Sequence, residues 1–174
     1  MKIKYILLLL LILPIWVKAD TNIKCIDGDT FKMEVNGQIE SIRLLAVDTP
    51  ELNSKDPIAV IAKEYTCTYL LSAKNIELKK DNNSDNRDRY NRLLRWVFVD
   101  GELLQSLLIK KGYAMVAYLY DDYQYTNHLL LLEKQAQIKK LGVWKKDIKN
   151  DDVYLIITIV SIIFYLFIKT VKKY

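Results

Sequence analysis

A chain of 174 residues allows one compact domain with attachments, and two cysteines beside a single histidine argue against a zinc site. The formal charge of +5 does not describe a surface built to coat nucleic acid. Of the 26 basic residues, Lys2, Lys4 and Lys18 lie in residues 1–19 and Lys169, Lys172 and Lys173 in 153–174, with no acid in either stretch; the central 20–152 keeps 20 bases against 21 acids, a net charge of −1. The basic balance therefore belongs to the ends and speaks of membrane targeting.

The N-terminal 1–19 has a basic start, an apolar run from Tyr5 to Leu13, and Val17-Lys18-Ala19 before Asp20. This is the pattern of a secretory signal cleaved after Ala19; the alternative is an uncleaved anchor, since Pro14 and Trp16 follow the apolar core. Either calls for export. In an oxidising compartment Cys25 and Cys67 read as one disulfide or as two buried thiols, because a sequence does not supply their Cα separation.

Residues 25–51, CIDGDTFKMEVNGQIESIRLLAVDTPE, hold two alternating apolar runs around Asn36-Gly37. That pair is a two-residue hairpin signal, because both turn positions need positive φ. Closing the hairpin brings the Asp29 end towards the Asp48 end, so that Asp27, Asp29, Asp48 and Glu51 gather. Arg43 lies inside the second run, where a charge is costly unless it meets an opposite charge or a bound anion. Clustered oxygen ligands suit a hard divalent cation and an adjacent arginine suits a phosphate, which points to a metal-assisted phosphodiesterase.

Beyond Thr49-Pro50-Glu51, residues 52–57 read as an exposed loop. Apolar residues at helical spacing (Val60, Ala62, Cys67, Leu70, Leu71) predict a helix over 59–73. A strand over 76–80, a polar loop over 81–86 and a strand over 93–99 follow, closed by the turn Asp100-Gly101. A helix over 102–111 ends at Gly112, a strand covers 113–118, and a tyrosine-rich loop leads to a third helix from Thr126 or Asn127 to Leu141, stopped by Gly142 and packed by Trp144. His128 is expected to face the core or cap that helix, without a catalytic role. The uncharged apolar run over 153–168, sixteen residues closed by lysines, predicts a short membrane span with a cytoplasmic C-terminus. The chain thus divides into a signal (1–19), a domain (20–149) and an anchor with a basic tail (150–174). About five strands and three helices define an α+β class, mainly β, for which a small antiparallel oligonucleotide-binding barrel is a good candidate.

Five motifs in order, IDGDT at 26–30, IRLLAVDTPE at 42–51, DRYNR at 88–92, KGYAMVAYLY at 111–120 and HLLLLEKQAQIKKLGVW at 128–144, give the chain a resemblance to the staphylococcal nuclease (thermonuclease) family. The resemblance covers about Ile23 to Trp144. It implies a five-stranded oligonucleotide-binding (OB-fold) barrel with three helices and calcium-dependent hydrolysis of DNA and RNA, with single-stranded or locally open substrate preferred and no protein partner. By motif match, Asp29 and Asp48 resemble the metal-binding carboxylates and Thr49 the residue giving a backbone carbonyl. Glu51 resembles the carboxylate that activates the attacking water, Arg43 and Arg92 the pair gripping the phosphate. Arg89, Tyr90, Tyr118 and Tyr120 resemble the residues lining the nucleotide site. Calcium over magnesium rests on the resemblance, since the carboxylate count alone allows either ion.

Each motif taken alone has a plainer reading: a turn at Asp27-Gly28-Asp29, a helix entry at Asp48–Glu51, a solvated basic loop at Arg87–Arg95, surface tyrosines after Tyr113. Two departures stand out. Asn91 occupies a position where the family usually has glycine, and Asp121-Asp122 lie where it often carries lysine. Two rivals remain: a catalytically silent nucleic-acid- or protein-binding module of the same fold, and a membrane-assembly protein in which the barrel is a spacer.

Overall fold

The computed structural model describes residues 22–145 together with 158, 159 and 162. The expected signal and all but three residues of the expected membrane anchor lie outside them, and no described helix is long and apolar enough to cross a membrane.

The hairpin forms as its turn chemistry requires. Strands β2 (Thr30–Val35) and β3 (Gln38–Leu44) pair antiparallel from Thr30↔Arg43 to Val35↔Gln38. Asn36 and Gly37 between them take φ of 53° and 81°. A short β1 (Lys24–Cys25) pairs with β2. The second half of β3 pairs in parallel with β6 (Leu93–Val99), which also holds β5 (Ile76–Lys79) and the two-residue β7 (Glu102–Leu103). The sheet runs β1-β2-β3-β6-β5, while β4 (Val47–Asp48) and β8 (Met115–Val116) form a separate pair.

The three expected helices form, but the described strands do not close the expected five-stranded barrel: they form an open path and a detached pair. The physical cause lies in two places. Ala46, 2% exposed, adopts a φ of 62°, which breaks the run Ile42–Asp48 and redirects β4 away from β3. Such a conformation costs an alanine about 1–2 kcal/mol. It is held by the Ala117 N–H, which donates to the Ala46 carbonyl at 3.1 Å. At the other side the expected strand over 113–118 shrinks to β8, because the Val116 N–H goes to the Glu133 carboxylate and Tyr118 turns to a φ of 57°.

Helix α1 (Ile58–Ser72) starts behind Pro57, with the Asp56 carboxylate accepting the Ile58 N–H at 2.8 Å. It buries Ala59, Ala62, Thr66 and Leu70, whereas Val60 and Leu71, expected inside, are exposed. Helix α2 (Leu104–Lys111) ends at Gly112, whose φ of 70° makes the left-handed cap. Helix α3 (Thr126–Ile138) is followed by Gly142; a Cβ on Gly142 would collide with the Gly112 carbonyl, and one on Gly112 with the Leu141 carbonyl. His128 corrects the expectation made for it: it is exposed on α3, while Leu129 and Ala136 carry the inward stripe. The core is built from Phe31, Ile42, Leu44, Trp96 and Leu108, all at most 1% exposed. Cys25 and Cys67 are joined as a disulfide, tying β1 to α1.

Candidate active site

Asp27-Gly28-Asp29 forms the entry to β2 and is pressed against α1. A Cβ on Gly28 would stand 2.7 Å from the Ala62 Cβ and 2.8 Å from Thr49, so only glycine lets the loop approach. The Thr66 hydroxyl, from α1, donates to the Gly28 carbonyl at 2.6 Å. Asp29 is thereby held 5% exposed. Its Oδ2 accepts the Thr49 N–H at 2.8 Å and the Thr49 hydroxyl at 3.0 Å; its Oδ1 accepts the Thr30 hydroxyl at 3.0 Å.

Arg43 meets the opposite charge its burial demands. At 7% exposure, its Nε lies 3.2 Å from Asp29 Oδ1 and its Nη2 3.2 Å from Asp48 Oδ1. Its Nη1 donates to the carbonyls of Leu44 and Val47 at 2.8 and 2.7 Å. The guanidinium thus bridges the Asp29 and Asp48 carboxylates. Burial, together with the Asp29 charge, still raises the Asp48 carboxyl above its usual range; Arg43 opposes this and Glu51 adds to it. Asp27 is pushed up to about 6 by burial and by the Asp29 charge. The Asp29 N–H donates to its Oδ1 at 3.0 Å.

Arg92 is set by Asp88, one turn earlier in the same motif. The Asp88 carboxylate accepts the Arg92 Nε–H at 2.6 Å, the Arg92 backbone N–H at 2.9 Å and the Tyr90 N–H at 3.0 Å. Burial alone would raise the Asp88 carboxyl, but these bonds leave it lowered. Arg92 Nη1 reaches the Thr30 hydroxyl at 3.4 Å, so a chain Arg92–Thr30–Asp29–Arg43 links the two arginines. Asn91 adopts a φ of 63°, the conformation for which the family uses glycine. The Tyr90 ring lies 4.8 Å from the Arg89 Cζ and 5.3 Å from the Arg92 Cζ, and Tyr118 lies 5.5 Å from that of Arg43.

The predicted residues converge. Asp29, Arg43, Asp48, Glu51 and Arg92 line one cavity of about 1030 Å³, with Arg89, Tyr90, Tyr118 and Tyr120 along the same cleft. Tyr90, Tyr118 and Tyr120 are 65%, 52% and 82% exposed, with guanidiniums over the rings of Tyr90 and Tyr118. The Glu51 carboxylate is exposed and makes no hydrogen bond or ion pair with the described residues. Thr49 does not line the cleft; it is buried behind Asp29. Sequence reading missed Asp88 and Thr30. The first was visible as an acid four residues before Arg92 in DRYNR; the second sits inside IDGDT but gains its role only from the fold.

Among the described residues no three His, Cys, Asp or Glu side chains are grouped to hold a metal by themselves. The donor set nevertheless fits a hard cation completed by water: the Asp29 and Asp48 carboxylates both line the cleft and face one guanidinium, each at 3.2 Å.

Fold and cleft define a mixed α+β domain with arginines and carboxylates gathered in one cleft, and residues 41–146 match the family described as Staphylococcal nuclease homologue. The chain belongs to the staphylococcal nuclease family. It is similar to two Bacillus subtilis proteins: SPbeta prophage-derived endonuclease YokF, 36% identical over 129 residues (71% of this chain, 43% of the relative), and Endonuclease YncB, 38% identical over 128 residues (71% and 60%). To the Thermonuclease of Staphylococcus hyicus it is 29% identical over 123 residues, covering 70% of this chain and 73% of the relative. The chain thus spans about half the length of the two Bacillus relatives.

Proposed function

We propose that this protein is a calcium-dependent nuclease that hydrolyses phosphodiester bonds of DNA and RNA with little sequence specificity. The observation that carries the reading is the meeting of Arg43 and Arg92 with Asp29, Asp48 and Glu51 in one cleft rimmed by exposed tyrosines. Both curated Bacillus relatives bear the name endonuclease, in keeping with it.

Asp29 and Asp48 would hold the calcium ion, with the Thr49 carbonyl added by the family resemblance alone, and the ion when bound supplies positive charge to the phosphate oxygens. Arg43 and Arg92 orient the phosphate and offset the charge that builds on pentacoordinate phosphorus; a guanidinium suits this because it meets two oxygens at once and stays charged. Glu51 accepts the proton of the attacking water as the new P–O bond forms and the ester P–O bond breaks. Tyr118, Tyr120 and Tyr90 stack on bases without regard to sequence, which favours single-stranded or locally open substrate. Export and tethering belong to the same proposal, supported by the apolar runs over 5–13 and 153–168.

The test is degradation of single-stranded DNA by the full chain with calcium, with magnesium and with chelator, beside Glu51→Gln. Calcium-dependent cleavage, stopped by chelator and by the substitution, is expected. Binding without cleavage would select the silent module instead. Protease protection of the domain in intact cells would overturn the external location.

A further inference from the structure

Arg87 lines the same cleft as Arg43 and Arg92 while its partner Glu40 stands outside it; neither has been given a role, yet they form the most complete ion pair among the described residues. Arg87 Nη1 and Nη2 donate to Glu40 Oε2 and Oε1 at 2.8 and 2.7 Å, an end-on fork. The same Nη1 donates to the Asn91 carbonyl at 2.8 Å. Arg87 is also bridged antiparallel to Leu93 through its backbone. Glu40 lies three residues before Arg43 on β3. One guanidinium therefore ties the strand that carries Arg43 to the residue immediately before Arg92.

The side chains are 31% and 19% exposed. At that exposure an ion pair adds little to stability. Placement is the better account of it. The turn over 88–92 has a backbone that needs holding: Asn91 sits at a φ of 63°, and no residue of the turn belongs to a named strand or helix. Within the turn, Asp88 fixes Arg92 to its own loop, but only Arg87 fixes that loop through a side-chain pair to β3.

We propose that Glu40 and Arg87 are a positioning pair, which sets the turn bearing Arg92 against β3 and so the spacing of the Arg43 and Arg92 guanidiniums. The proposal rests on the nuclease reading above. A displacement of about 1 Å at a reacting centre costs up to roughly 100-fold in rate. Glu40→Ala in the full chain should therefore lower kcat on single-stranded DNA by about 10–100-fold with little change in KM and in Tm. Arg87→Lys, whose ammonium keeps the charge but lacks the fork, should lose less than Glu40→Ala.

The deciding measurement is the double variant. If the pair acts through Arg92, Glu40→Ala should cost nothing further in an Arg92→Ala background. An equal loss in both backgrounds, or a loss that follows a fall in Tm, would overturn the proposal. Amide exchange at residues 88–92 reads the tie without activity: faster exchange confined to that turn is expected in Glu40→Ala, and unchanged exchange would overturn the tie. If Arg92→Ala proved fully active, the nuclease reading of the turn would fall and the rate argument with it, while exchange would still decide the tie.

Discussion

Thr49 gives both its backbone N–H and its hydroxyl to a single oxygen of Asp29, at 2.8 and 3.0 Å. The other oxygen takes the Thr30 hydroxyl and faces the Arg43 Nε at 3.2 Å. A carboxylate offers about four acceptor positions, and here hydrogen bonds from Thr30 and Thr49 take three of them. Asp29 is consequently a structural hub as well as the proposed metal ligand.

Its removal should therefore cost stability even with chelator present. Asp29→Ala leaves the buried Arg43 with only part of its countercharge and strands the Thr49 N–H; breaking a buried pair costs about 3–5 kcal/mol. Thr49→Ala loses one hydroxyl bond, about 1 kcal/mol. Urea unfolding of the two variants should keep that order. Equal midpoints would show that Asp29 is held mainly by something other than these bonds.

The Cys25–Cys67 bridge acts beside the same loop. Cys67 follows Thr66, whose hydroxyl grips the Gly28 carbonyl, and Cys25 precedes the Asp27-Gly28-Asp29 turn. Closing a loop between residues 42 apart is worth about 4 kcal/mol in the chain-entropy account. Reduction, or the pair Cys25→Ser with Cys67→Ser, should lower Tm by on the order of 10 °C. An unchanged Tm would mean that the bridge constrains nothing the fold does not already hold.

The features legible in the sequence were those written in local chemistry. Asn36-Gly37 and Gly112 carry their turn and cap in their own permitted φ, and Arg43 announced its partners by being a charge in an apolar run. What stayed hidden depends on residues far apart. Alanine at 46 carries no mark of positive φ; it is held there by Ala117. The barrel expectation failed on this break and on strands only two residues long, whose partners are chosen by tertiary contacts. Glu40 and Arg87, 47 positions apart, are two ordinary charges until β3 and the turn meet. His128 misled because four leucines follow it, yet helical periodicity turns Leu129 inward and His128 out.

Asp81 gives a pH dependence with a definite sign. It is 3% exposed and accepts the Trp96 Nε1–H, the Gln124 N–H and the Asn83 N–H, at 2.8, 2.8 and 2.9 Å. Burial alone would raise its carboxyl; the three donors outweigh burial and leave it lowered. A group lowered in the folded state adds stability above its unfolded value, near 3.9, and loses it as pH falls through the folded value below that. Thermal unfolding should therefore show a stability loss on acidification below about pH 4 that Asp81→Asn flattens. The substitution should also cost about 1–3 kcal/mol at neutral pH, since one acceptor position becomes a donor facing the Asn83 N–H. An unaltered acid limb in Asp81→Asn would assign it to other carboxylates.

Asp121 sits on the wall of the cleft between Tyr120 and Tyr123, where a polyanion has to pass. Its neighbour Asp122 does not line the cleft, and its carbonyl instead accepts the Asn83 side-chain N–H at 2.7 Å. A carboxylate on that wall repels phosphate and reduces the number of counterions released on binding. Asp121→Lys should tighten binding of a single-stranded oligonucleotide, measured with chelator so that nothing is cleaved. It should also steepen the dependence of log Kd on log salt by about 0.7, the increment for one further phosphate contact on a single strand. Asp122→Lys, with the same change in net charge, should do less. Equal effects of the two would mean that overall charge governs entry, and that the cleft wall has no special part in admitting the strand.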